Sequence, residues 1–162
     1  MPTFTEIQKM NQWWLWLILL GIAGLWTWAI VQQIMLGQPF GDKPASDTEL
    51  LVAGLFVLGI LGLFYVLTLH TEISAAGIRL RYVPFVRKTI PWSEIRRAEV
   101  IRYIFVGYGI RLSFQYGIVY NTRGNQGLLL EKTDGKRLLI GTQQPEALAA
   151  AVRAFLPQTV GL

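Results

Sequence analysis

The sequence predicts a two-helix membrane hairpin followed by a small α+β domain of about seven antiparallel strands and a C-terminal helix. Three observations predict it. Residues 13–36 form a run of 24 without a charge, and residues 50–69 another of 20. At a rise of 1.5 Å per residue, roughly 20 apolar residues cross the hydrocarbon core, so both runs are long enough to span. Beyond residue 70 the apolar residues fall into short alternating runs separated by turn residues, the period of strands. Charge divides at the same place: residues 1–70 hold two basic and four acidic side chains, net −2, and residues 71–162 hold 13 and six, net +7. The expected division is a hairpin over 1–70, a soluble domain over 71–156 and a short tail over 157–162.

The first run exceeds the roughly 7–15 apolar residues of a signal peptide and has no small-residue cleavage pattern, so it is expected to stay as an anchor. Lys9 precedes it, the connector 37–49 has only Lys43 against Asp42, Asp47 and Glu49, and Arg79, Arg81, Arg87 and Lys88 follow the second run. The positive-inside rule then places both termini in the cytoplasm and the connector outside. Trp13, Trp14 and Trp16 cluster at the inner end of the first span, where indole rings favour the headgroup boundary. Trp26 and Trp28 lie deeper and are expected to face lipid, the other helix or a pigment. Ser46 and Glu49 fit a capping box, which starts the second helix near Asp47. Gly54, Gly59 and Gly62 offer small surfaces for packing against Gly21 and Gly24. Neither span contains Asp, Glu, Lys or Arg, which suits an anchor better than a transporter.

In the soluble part, Thr71 to Ser74 reads as a first short strand and Ala76-Gly77 as the turn after it. Ile78, Leu80 and Tyr82 alternate with Arg79 and Arg81, giving one buried and one positive face. Ile90-Pro-Trp-Ser-Glu-Ile95 reads as an edge or strand start, and residues 95–106 as a long strand rich in β-branched and aromatic residues. Gly107-Tyr-Gly109 marks a bulge or bend. Leu112, Phe114, Tyr116, Ile118 and Tyr120 are expected on one face of the next run. Gly124-Asn125 and Asp134-Gly135 read as turns, the latter as type I′. Pro145 and Glu146 open a helix whose Leu148, Ala151, Val152 and Phe155 share a face, and Pro157 closes it.

Several motifs together carry a family likeness: Thr71-Glu-Ile-Ser with Gly77-Ile-Arg, Ile90-Pro-Trp-Ser-Glu-Ile95, Gly107-Tyr-Gly-Ile-Arg111, and Asp134-Gly-Lys-Arg-Leu-Leu-Ile-Gly-Thr-Gln143 before Pro145-Glu146. Residues 71–156 resemble the bacterial pleckstrin-homology-like (PH-like) domains of small membrane proteins. The resemblance implies a PH-like fold, a bacterial cytoplasmic membrane and a binding or scaffolding role, since such folds host lipid binding, peptide binding and scaffolding. Of the basic pattern used by phosphoinositide-binding PH domains, only the second half is present, as Arg79-Leu-Arg81. No Lys or Arg lies between His70 and Arg79, which argues against stereospecific phosphoinositide recognition.

Candidate chemistry is sparse. The chain has no Cys and a single His, His70, and H-E-x-x-H, G-x-S-x-G, G-x-G-x-x-G and P-loop motifs are absent. No catalytic residue, metal site or cofactor is expected. Glu94 and Glu99, beside Arg96 and Arg97, read as surface ion pairing. No nucleic-acid-binding signature accompanies the charge, so nucleic acid is not an expected partner. The expected contacts are anionic lipid headgroups or a protein, through Arg79, Arg81, Arg87, Lys88 and Arg111. The expected function is a non-enzymatic membrane-anchored binding or scaffolding module. The alternative is an accessory or assembly subunit of a larger membrane complex, with a protein partner around the spans; a small transporter or enzyme is disfavoured.

Overall fold

The computed structural model describes residues 4–104 and 107–156. They form two units: Asn11–Val66, and a β unit built from the chain on either side of that segment.

The helical unit is a hairpin. Helix α1 (Trp13–Ile30) runs on into a π-helical turn (Val31–Met35), and α2 (Asp47–Val66) returns beside it. The turn residue Gln33 holds the connector, its amide donating to the Ala45 carbonyl at 2.7 Å and to Asp47 Oδ1 at 2.8 Å. Ser46 caps α2 as its sequence predicts: its N–H donates to Glu49 Oε2 at 2.9 Å and its hydroxyl accepts from the Glu49 N–H at 3.4 Å. Both helices are long and apolar enough to cross a bilayer, and only 6% and 11% of their most apolar stretches are buried. A core helix of a soluble fold would bury most of its surface, which these two do not. The second span is shorter at its far end than its apolar run, because Leu67 to Leu69 belong to the β unit.

The β unit opens on a strand that the sequence reading assigned to the hairpin. Strand β1 (Phe4–Lys9) pairs with β2 (Thr68–Ser74) from Phe4–Ile73 to Lys9–Thr68. Its inward residues are Phe4, Glu6 and Gln8, and this polar inner face hides the alternation that marks a strand. With β3 (Gly77–Val83) and β4 (Val86–Ile90) it makes an antiparallel sheet in the order β1-β2-β3-β4. The chain then makes a 3₁₀ turn at Trp92–Glu94 rather than continuing as a strand. The second sheet holds β5 (Ile95–Arg102), β6 (Gly109–Ser113), β7 (Gly117–Asn121), β8 (Gln126–Lys132) and β9 (Arg137–Gly141), in the order β5-β8-β9-β7-β6. Helix α3 (Pro145–Arg153) packs on β5, β8 and β1.

Three expectations are corrected. The described residues hold nine strands, not about seven, and β7 runs parallel to β9. The run from Leu112 to Tyr120 is a hairpin, not one strand; it turns at residues 114–116, and β7 opens on Gly117, whose φ is +70° and where a Cβ would collide with the Arg137 carbonyl. The Asp134-Gly135 turn is not type I′, because Asp134 does not have positive φ. Instead Gly135 N–H donates to the Lys132 carbonyl at 3.0 Å and Lys132 N–H to the Lys136 carbonyl at 2.9 Å, the pattern of a three-residue turn closed by a glycine bulge. The expected strand beyond Arg102 falls in part on residues 105 and 106, and the Pro157 helix stop and tail on 157–162; all lie outside the described residues.

The core is fed from both sheets and α3: Leu69, Ile73, Ile78, Leu80 and Ile90, then Leu128, Leu130 and Ile140, then Leu148 and Val152, all fully buried. Each such side chain contributes about 1.5–3 kcal/mol by leaving water. A buried polar seam joins β1 to the second sheet. Thr142 Oγ1 donates to Glu6 Oε2 at 2.6 Å and the Gln143 N–H to Glu6 Oε1 at 2.7 Å. Gln8 Nε2 donates to the Gly141 carbonyl at 2.7 Å, and Thr122 Oγ1 to Gln8 Oε1 at 2.8 Å.

Because β1 and β2 are antiparallel neighbours, the helical hairpin occupies the place of a hairpin turn. Joining Met10 to Leu67 through Asn-Gly is expected to give a water-soluble β unit with cooperative unfolding by circular dichroism, whereas a chain starting at Thr68 lacks β1 and should unfold at markedly lower temperature.

Candidate functional site

The outer face of the first sheet gathers the basic residues singled out from the sequence. On β3 the period of two turns Arg79 and Arg81 outward, over buried Ile78, Leu80 and Tyr82. On β4 it turns Arg87 and Thr89 to the same side. The register sets Arg81 directly opposite Arg87 and Arg79 opposite Thr89. Across the other edge of β3, His70 faces Arg81 and Glu72 faces Arg79. Arg79, Arg81, Arg87, Lys88 and Thr89 line a shallow depression of about 320 Å³. Four of the five expected contact residues therefore share one site.

Charge on this face is poorly balanced. Arg79 has a long, exposed ion pair with Glu72 at 3.5 Å. Among the described residues no ion pair involves Arg81, Arg87 or Lys88, whereas Arg97 of β5 pairs with Glu99 at 2.8 Å and Lys132 of β8 with Glu94 at 2.9 Å. Like charges directly opposite on neighbouring strands are destabilising, so the Arg81–Arg87 pair costs stability that the fold itself does not recover. His70 feels the same field. Burial first, and then the Arg81 guanidinium, holds its imidazole below the ordinary value of 6.5. Its Nε2 lies 3.1 Å from Thr68 Oγ1. Beneath the face, burial pushes the Tyr82 hydroxyl up to about 12.

The fifth residue, Arg111, stands apart on β6 of the other sheet. It is exposed, and its Nε donates to the Tyr108 carbonyl at 3.1 Å, so it ties down the glycine-flanked loop before its own strand. Of the glycines, Gly54 alone lies in the helix contact: a Cβ there would stand 3.2 Å from both Trp26 and Ile30. Gly21, Gly24, Gly59 and Gly62 have nothing within 4 Å of that position. Trp26 is held in the hairpin, donating Nε1–H to the Leu50 carbonyl at 3.0 Å, while Trp28 is 56% exposed. Trp13 and Trp14 are exposed on the first turn of α1, and Trp16 is half-buried. Beside Gly54 the two helices leave an open apolar groove of about 360 Å³, lined by Ala23, Trp26, Thr27, Ile30, Leu51 and neighbouring α2 residues, with no ionisable group.

The residues missed from the sequence are structural partners of the site. Glu6 and Gln8 fix the edge of the sheet that carries it, and the one signal available was the polar-apolar alternation of Phe4-Thr-Glu-Ile-Gln-Lys9 with polar residues facing inward. No group of three or more His, Asp or Glu close enough to hold a metal exists among the described residues. Neither a protein-family model, nor a curated protein, nor a solved structure matches this chain.

Two outcomes are expected. Replacing Gly54 by Leu forces Trp26 and Ile30 aside and should destabilise the hairpin in detergent by about 1–3 kcal/mol, while Gly59→Leu leaves the unfolding midpoint nearly unchanged. For His70, the folded protein binds the imidazole proton less readily than the unfolded chain. The stability contributed by neutral His70 is present above pH 6.5 and is lost as the pH falls through that value toward the lowered folded one. Thermal unfolding followed across this window should show a smaller acid-side loss in His70→Gln.

Proposed function

We propose that this chain is a non-enzymatic, membrane-anchored binding module whose cationic sheet face lies against anionic lipid headgroups. Its two apolar helices are the anchor. The observation that carries the reading is the Arg81–Arg87 pair, set face to face without a carboxylate and flanked by Arg79 and Lys88. A phosphate-bearing surface supplies the missing counter-charge. Each basic residue near an anionic surface is worth about 1 kcal/mol, so four give roughly 4 kcal/mol. That is too little to hold a free protein firmly, and enough to orient one already tethered by two spans.

The pairing of β1 with β2 supports a topology with both ends of the hairpin on one membrane side, since residues 4–9 and 68–74 share a sheet. The lysine and arginine distribution makes that side the cytoplasm. Two sheets and a C-terminal helix are compatible with a PH-like domain, and the parallel β7–β9 pair and nine strands are its departures from a simple seven-strand pattern.

The test uses the β unit freed by joining Met10 to Leu67, its folding first checked by circular dichroism. At high lipid concentration a larger fraction of it should sediment with phosphatidylglycerol vesicles than with phosphatidylcholine vesicles, and that excess should be lost as salt shortens the screening length to about 3 Å at 1 M. Arg81→Glu with Arg87→Glu should lower binding by roughly tenfold or more, because each reversal removes one attraction and adds one repulsion. Equal binding to both vesicles, or indifference to salt, would leave the arginines as a solvated sheet face.

A further inference from the structure

The β unit exposes large apolar side chains at one end. Phe114 is fully exposed at the β6–β7 turn, Leu112 is 85% exposed on β6, and Phe85 is 60% exposed at the β3–β4 turn. Ile110 and Ile118, both exposed in part, share the Leu112 face. Register shows where that end lies. Lys9, Thr68 and Val83 form one row across the first sheet, with Met10 and Leu67 following where the chain leaves for the helices. Phe85 is two residues beyond Val83, so its turn stands at the same end.

The second sheet reaches that end through β6. Along β1, Glu6 bonds to Thr142, just past β9, and Gln8 bonds to Thr122, just past β7. Glu6 meets only the end of β9, whereas Gln8 bridges Gly141 of β9 and Thr122 past β7, so β1 advances from β9 toward β7, and the next strand in sheet order is β6. Tyr120 of β7 also meets Tyr82, which shares a cross-sheet row with Leu69 and Gln8, at a ring separation of 6.3 Å. β6 therefore overhangs the end of the first sheet at Met10 and Leu67, and the overhang leaves Ile110 and Leu112 uncovered.

From this geometry we infer that the rim formed by Phe85, Ile110, Leu112 and Phe114 is seated in the interfacial layer of the lipid bilayer, as a second membrane contact beside the spans. The rim lies where the chain passes to helices long and apolar enough to span, and Arg81 and Arg87 stand two rows behind the Val83 end of the sheet, the next outward-facing positions, on the same side as Ile7 and His70. Apolar first and cationic next is the order of a bilayer surface met from its acyl side. A second copy paired along the β6 edge fits less well. A two-fold antiparallel pairing centred on this five-residue strand would bring Arg111 against its own copy. The inference rests on the membrane reading above and is independent of the lipid charge proposed there.

The chain contains no cysteine, so single positions can be labelled cleanly in the full-length protein. An environment-sensitive nitrobenzoxadiazole dye would be placed at Leu112→Cys, Phe114→Cys and Phe85→Cys, at Leu58→Cys in α2, and at Ala75→Cys in the β2–β3 turn at the opposite end of the first sheet. The proteins are reconstituted in pure phosphatidylcholine vesicles with and without nitroxide-bearing lipids. The expected result is blue-shifted emission, quenched by the lipid nitroxide, at positions 58, 85, 112 and 114, and water-like emission at 75. Quenching at 58 with water-like emission at 112 and 114 overturns the inference and leaves the membrane reading standing. Blue-shifted emission at 112 and 114 without lipid quenching also overturns it, and assigns the rim to protein. Absence of quenching at 58 overturns both readings.

Discussion

The pairing of β1 with β2 is the constraint on which the rest of the structure depends. It joins Lys9 to Thr68 across 58 intervening residues, and it is sealed by side chains that are polar rather than apolar. Glu6 and Gln8 are 4% and 5% exposed, and a buried polar group without partners costs roughly 1–3 kcal/mol. Here each finds two partners, on Thr142, Gln143, Gly141 and Thr122. Apolar side chains at these positions would bury as well but would not select a register. Two fixed carboxyl oxygens and one amide accept a single alignment of β1 against the ends of β7 and β9.

Register then decides what the outer face presents. With Lys9 opposite Thr68, the period of two sends His70, Arg79, Arg81 and Arg87 to one side and Leu69, Leu80 and Tyr82 to the other. A slip by one residue would bury the arginines and expose the core. The cost of setting Arg81 against Arg87 is tolerated because each costs only a few tenths to about 1 kcal/mol at an exposed position, far less than the core residues beneath them contribute. A site for an anionic surface can therefore sit on this sheet without threatening the fold. Arg111, by contrast, spends its guanidinium on a backbone carbonyl of its own loop.

The legibility of the sequence follows the strength of each local signal. Both helices and the Ser46–Glu49 cap were readable, because length, hydropathy and capping are local properties of the chain. Strand β3 and helix α3 were readable, the first from alternation and the second from Pro145 and its apolar face. β1 was not, since its inner face is Phe-x-Glu-x-Gln and the partners that make those polar residues acceptable lie more than 110 positions away. The β6–β7 break was hidden for a similar reason. Gly117 looks like any strand glycine until the carbonyl of Arg137, 20 positions on, occupies the space of its Cβ. The basic face was half legible: the residue types and their alternation were in the sequence, but the Arg81–Arg87 opposition depends on the β3–β4 register.

The inserted hairpin also changes how β1 can find β2. Closing a flexible loop of 58 residues costs about 3–4 kcal/mol in chain entropy relative to a single residue, before any contact is made. A helical hairpin that forms first removes most of that cost. Gln33 fixes the connector to Ala45 and Asp47, and Trp26 ties α1 to the backbone at Leu50, so the two helices are held side by side independently of the sheet. The same logic explains where stability must be strongest. A sheet whose first strand is delivered by an anchor cannot rely on proximity alone, because the strand carries only Phe4 as a large buried apolar side chain. Its polar seam supplies the missing adhesion, and this accounts for a carboxyl and a carboxamide at the two inward positions where a strand would ordinarily place Val or Ile.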